Sequence, residues 1–244
     1  MKFLGGLLIG IITIVVLLIL VAGYFGFVPG LSNVFGSNKP INLGTTYTAA
    51  DYKSAEAKTG TKFSNNTDTV NYNKSQKTFG PARAVTVDFT ASEITAALNE
   101  KPHPADFPVK DWQVRYNADG TAEMSAVVLT DKLASYAQSH GVANDTIQQV
   151  LDTVKKFGIV EKEIPIYLKG SFSVVNGVLD FDAASVKIGR LPVSADTVNS
   201  HKSDILDFRD EHKNDIPGFS CKNCTIVNGK LHFEGTFPST VAVK

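Results

Sequence analysis

Between Lys2 and Lys39 the chain carries no Asp, Glu, Lys, Arg or His. Inside that gap, residues 3–28 read FLGGLLIGIITIVVLLILVAGYFGFV. A hydrocarbon core of about 30 Å is crossed by about 20 apolar residues at about 1.5 Å each, so the segment is long enough to span. Lys2 precedes it and no basic residue follows before Lys39, which under the positive-inside bias puts the N-terminus in the cytoplasm and the rest outside. A cleaved signal peptide is the competing reading, with Val21 and Gly23 at its small-residue positions. Either way the folded part is exported, and the expected location is the cell membrane, single-pass, with an extracytoplasmic C-terminal domain. Gly6 and Gly10 form a GxxxG pair that would let two such helices meet as a homodimer.

Lys plus Arg number 24 and Asp plus Glu number 24, a balance that excludes binding of nucleic acid through bulk basic charge. The expected organisation is a cytoplasmic stub and transmembrane anchor over 1–28, an exposed tether over 29–82 and an α+β domain over 83–244. The tether is rich in Gly, Pro, Thr and Asn, with a short helix near 48–58 capped by Thr48 and Asp51.

Within 83–244 the alternation of apolar residues predicts hairpins. Trp112, Val114 and Tyr116 share one face of a strand, as do Ala122, Met124 and Ala126 in the next. A two-residue turn would set those faces on opposite sides, whereas a three-residue loop over 118–120 pairs Tyr116 with Ala122 and Val114 with Met124. Two later segments, 173–182 and 225–234, match in character and both centre on Asn-Gly. They predict Phe172 opposite Phe181, Val174 opposite Leu179, Ile226 opposite Leu231 and Cys224 opposite Phe233. The apolar phase slips beyond Phe181, predicting a bulge near Ala183 and Ala184.

Helices are predicted after a Thr90–Glu93 capping box, after Thr130 through Leu133 and Tyr136, over 144–157 through Ile147, Val150, Leu151, Val154 and Phe157, and over 195–212. The predicted fold class is α+β: an N-terminal transmembrane helix, then a curved antiparallel β-sheet of hairpins with helices packed on one face.

Candidate chemistry is sparse. Cys221 and Cys224 form a lone CxxC, leaving open a local disulfide, two thiols, or a redox or metal role. In a regular strand residues three apart face opposite sides, so a bridge there predicts a turn at Lys222-Asn223. The five histidines are His103, His140, His201, His212 and His232; none stands at ligand spacing from another, and no metal or other cofactor is expected. No GxSxG, SxxK, GxxxxGK or HExxH motif occurs, which lowers the prior for an enzyme.

The N-terminal anchor, the Thr90–Glu93 helix start, the long hairpin and the stretch Val186-Lys-Ile-Gly-Arg-Leu-Pro-Val193 together resemble the YpmS-type envelope proteins of Gram-positive bacteria. More distantly the layout is similar to TULIP-like lipid-binding domains, in which a curved sheet wraps a helix around an acyl-chain groove. The resemblance implies no defined reaction. It implies a membrane-anchored module holding a lipid or other envelope amphiphile in an apolar groove, with Trp112, Val154, Phe157, Phe172 and Phe181 as lining. The alternative is a non-enzymatic envelope structural or interaction protein with a filled core.

Overall fold

The computed structural model of the chain describes residues 16–17, 20–22, 24–25, 30–65, 77–101, 103, 106–139, 162–203, 206–207 and 216–243. In chain order its elements are α1 (Leu31–Phe35), α2 (Ala49–Thr59), β1 (Lys62–Asn65), β2 (Lys77–Phe79), β3 (Ala82–Phe89), α3 (Ala91–Glu100), β4 (Val109–Tyr116), β5 (Ala122–Leu129), α4 (Thr130–Ser139), β6 (Glu163–Val175), β7 (Val178–Ile188), β8 (Leu191–Val193), α5 (Ala195–Ser200), β9 (Ser220–Val227), β10 (Lys230–Pro238) and β11 (Thr240–Val243). The main sheet runs β3-β10-β9-β6-β5-β4, with β7 on β6 and β8 on β7; β1, β11 and β2 form a small second sheet.

The hairpin chemistry acts as its residues dictate. Asn176-Gly177 and Asn228-Gly229 both take positive φ, as a two-residue turn of the type that matches strand twist requires. The resulting registers set Phe172 opposite Phe181 and Val174 opposite Leu179, and Ile226 opposite Leu231 and Cys224 opposite Phe233. The three-residue loop pairs Tyr116 with Ala122 and Val114 with Met124. In the β6–β7 pair Lys169 faces Ser185 while Gly170 faces Ala183, so Ala184 is the extra residue of a bulge. A Cβ on Gly170 would stand 2.3 Å from the Asp182 carbonyl oxygen, which is why glycine sits there.

These bulges bend strands locally, yet the sheet stays open, which corrects the expected curved sheet. The outer strands β3 and β4 are joined through α3, not by pairing with each other. Side chains occupy the free edge of β4: Val114 N–H donates to Thr95 Oγ1 (3.0 Å) and Trp112 N–H to Asn99 Oδ1 (3.0 Å), while Asn99 Nδ2 donates to the Trp112 carbonyl (2.9 Å). Thr45 Oγ1 donates to the Val114 carbonyl (2.7 Å) and Leu43 N–H to Gln113 Oε1 (2.9 Å). Polar groups that would recruit another strand are thereby satisfied. Buried Leu43 thus belongs to a part of the 29–82 span that is held against β4.

Among the described residues no helix is long and apolar enough to cross a membrane. This corrects the expected anchor and what was derived from it: the membrane partner, the single-pass topology and the extracytoplasmic location. Residues 16, 17, 20–22, 24 and 25 of that segment are helical; the remainder, with Gly6 and Gly10, lies outside the described residues. A physical reason is visible at its end. The Arg190 guanidinium lies 4.6 Å from the Tyr24 ring centroid, its amide donates to the Phe25 carbonyl at 3.5 Å, and its side chain donates to the Phe35 carbonyl. A guanidinium against these residues is a neighbour that hydrocarbon disfavours. Gly189, φ +59°, permits the approach: a Cβ there would stand 2.6 Å from the Phe25 carbonyl oxygen.

The core beneath α2 and α3 is built from Ala55, Val85, Phe89 and Phe233, with Val87, Ile94, Ala97 and Leu231 packed against it. Glu93 ties the two helices to each other. Its carboxylate closes the Thr90 capping box (2.8 Å to Thr90 N) and accepts from Ser54 Oγ (2.5 Å) and Lys58 Nζ (2.6 Å). Burial works to raise its pKa, but the hydrogen bonds from Lys58, Ser54 and Thr90 outweigh burial and hold it below the usual carboxylate range. A depressed folded-state pKa contributes stability that is present above the unfolded value and lost as pH falls through the folded one. Glu93→Gln is therefore expected to lower the unfolding free energy by roughly 1–3 kcal/mol near neutral pH. In urea titrations the gap to wild type should close as the medium is acidified below the ordinary Glu range; a gap independent of pH would remove the charge from the explanation.

Candidate functional site

Where α2 and α3 cross the inner face of the sheet, packing leaves a partly open cavity of about 1120 Å³. Helix α2 brings Tyr52 and Ala55, α3 brings Ile94 and Ala97, and the β6–β7 hairpin brings Phe172, Val174 and Leu179. The opposite wall is aromatic. Phe233 and Phe237 project from β10 with ring centroids 4.8 Å apart, and Phe219 stands 5.2 Å from Phe237 and 6.2 Å from Phe233. Residues four apart on one strand share a face, as every second side chain does, so β10 supplies both rings without further help.

Polar chemistry is confined to a few groups. Tyr52 is pushed up to about 12, by burial first and then by its hydrogen bond to Glu56 and the charges of Glu56 and Glu100. It therefore stays protonated and donates to Glu56. The Cys224 thiol is also pushed up to about 12, by burial first and then by Cys221, whose charge and hydrogen bond act in the same direction. Among the described residues no group of three or more His, Cys, Asp or Glu side chains is placed to hold a metal ion.

The expected groove residues are dispersed. Phe172 lines the cavity. Phe181 faces it across the β6–β7 pair but lies beyond the lining, under the Lys202 ammonium, 5.5 Å from its ring centroid. Trp112 sits at the irregular part of β4, its backbone held by Asn99, and does not line the cavity. Val154 and Phe157 lie outside the described residues, as does the rest of 144–157. Of the 195–212 helix, α5 covers Ala195–Ser200, a turn follows at His201, and residues 202, 203, 206 and 207 are again helical.

Both cysteines line the cavity, and no disulfide joins them, so the turn that a bridge would require is not called for. Lys222-Asn223 is not a turn; β9 runs through it. Asn223 faces Glu234 while Cys221 faces Gly235, so Lys222 is an extra residue and the bulge returns Cys221 to the face of Cys224. Residues missed in the sequence were Tyr52, Ala55, Ala97, Phe219 and Phe237. Phe237 was legible, since it continues the phase of Leu231 and Phe233 past Gly235. No family model, curated protein or solved structure matches this chain.

Gly235 sets the bulge. A Cβ there would stand 2.0 Å from the Ser220 carbonyl oxygen and 2.9 Å from the Phe233 ring. Gly235→Ala is expected to cost about 1–3 kcal/mol, measured by chemical denaturation, and to change thiol alkylation at Cys221 under native conditions; an unperturbed variant would show that the β9–β10 contact relaxes freely.

Proposed function

We propose that this chain is a non-enzymatic interaction protein whose binding element is the apolar cavity under α2 and α3, and that it encloses an uncharged, largely apolar small molecule. The observation that carries this reading is the cavity: its volume is that of a small-molecule site, and its wall is mostly carbon with a few polar groups. A charged group seated against the three phenylalanine rings and Leu179 would find no partner there; the charged residues of the lining are Glu56, which accepts from Tyr52, and Lys101. The protonated Tyr52, with Glu56 beside it, offers an orienting polar contact.

The test is titration of the full chain with Nile red, a neutral apolar dye. One saturable site is expected, with the emission shift of a dry environment. Ala97→Trp projects an indole into the cavity and should weaken binding at least about tenfold, equivalent to about 1.4 kcal/mol, with the circular dichroism spectrum and melting temperature retained. Dye held elsewhere, for instance by the apolar residues 3–28, would be indifferent to Ala97→Trp; that result, or no saturable binding, would overturn the reading.

A further inference from the structure

The Cys221–Cys224 pair has geometry that its spacing in a strand does not ordinarily permit. A regular strand would aim the two side chains to opposite faces, yet the bulge at Lys222 puts both on the inner face. The two thiols lie within hydrogen-bonding reach of each other, both border the cavity, and both are only partly exposed. The sulfurs are thus juxtaposed on the wall of an opening that admits small molecules. We propose that Cys221 and Cys224 form a reversible dithiol–disulfide site on the cavity wall, exchanging with small-molecule disulfides. The site stands on the strand register and does not depend on what the cavity otherwise holds.

The step balances with a low-molecular-weight disulfide, RSSR, as oxidant. The Cys221 thiolate attacks one sulfur of RSSR; the Cys221–SR bond forms, the RS–SR bond breaks and one thiolate leaves. Cys224 then loses its proton and attacks the Cys221 sulfur, forming the internal disulfide and expelling the second thiolate. Two protein thiols are oxidised, one RSSR is reduced to two RSH, and the two protein protons end on the two products. The order follows from the environment of Cys224, whose burial keeps its sulfur protonated and unsuited to the first attack.

The residues between the two cysteines are held on the other side of the strand. Lys222 points away from the cavity and pairs with Glu234 at 2.6 Å, and Asn223 donates to Glu234 at 2.5 Å. The two intervening residues are therefore anchored on the outer face, which leaves the two sulfurs on the inner one.

The experiment incubates the full chain in buffers of reduced and oxidised glutathione over a range of ratios, quenches with acid, alkylates and measures intact mass. The expected product is a monomer lighter by two hydrogens, with neither cysteine alkylated, reverting to two alkylated cysteines after dithiothreitol. Cys224→Ser should stop at a glutathione adduct on Cys221, and Cys221→Ser should acquire its adduct at least about tenfold more slowly. Two alkylated cysteines at every ratio, adducts on both without a bridge, or disulfide-linked dimers would each overturn the site.

Discussion

Strand β6 is the member on which the arrangement depends. At thirteen residues it is longer than any neighbour, and its two edges are used differently. One edge pairs with β7 from Ile166 to Val175. The other is divided: Glu163 to Gly170 pair with β5, and Val174 pairs with Cys224 of β9. A hydrogen-bonding edge serves one partner at each position, so the block β3-β10-β9 can join only beyond the end of β5. Phe172 and Val174 lie at that junction, and both line the cavity. The opening is therefore sited where one long strand passes from one partner to the next.

The second constraint is the way the outer edge of β4 is closed. Thr95, Asn99 and Thr45 bond its backbone, so α3 is locked to the sheet by side chains that also remove the drive for strand addition. Glu93 on the same helix binds Ser54 and Lys58 of α2. The helix pair is thus positioned by polar contacts at its margins, leaving Ala55, Ile94 and Ala97 to face the sheet. Small residues at two of those three positions keep the helices from filling the space beneath them.

Local signals in the sequence carried far; long-range ones did not. The Asn-Gly turns, the loop over 118–120, the Thr90–Glu93 box and the bulge at Ala184 were legible because each is decided by residues adjacent in the chain. Sheet order was not, since nothing local says that β10 lies between β3 and β9. Nor did hydropathy distinguish a membrane anchor from a segment whose end meets Arg190. Trp112 and Phe181 were expected in the groove lining; Trp112 instead sits where β4 is irregular, and Phe181 lies under the Lys202 ammonium. Alternation predicts a face only while the strand stays regular.

The bulge at Lys222 shows what such an irregularity achieves. In a regular β9 with Cys224 inward, Lys222 would also point inward, placing an ammonium against Phe233 and Phe237, a costly burial. One extra residue reverses this: the ammonium reaches Glu234 on the outer face and Cys221 takes its place inside. The same distortion serves the turn of the β6–β7 hairpin. The Lys222 carbonyl accepts from Gly177 N–H at 2.8 Å, and the Asn223 side chain accepts from Asn176 N–H at 3.2 Å. The Asn-Gly turn that forms one hairpin is thereby fastened to the irregular strand of the other, bringing Leu179 and Val174 over the thiols. Gly235, the residue opposite, permits all of it by having no Cβ to meet Ser220. One unpaired residue thus sets the charge outside, the sulfurs inside and the cavity wall between them.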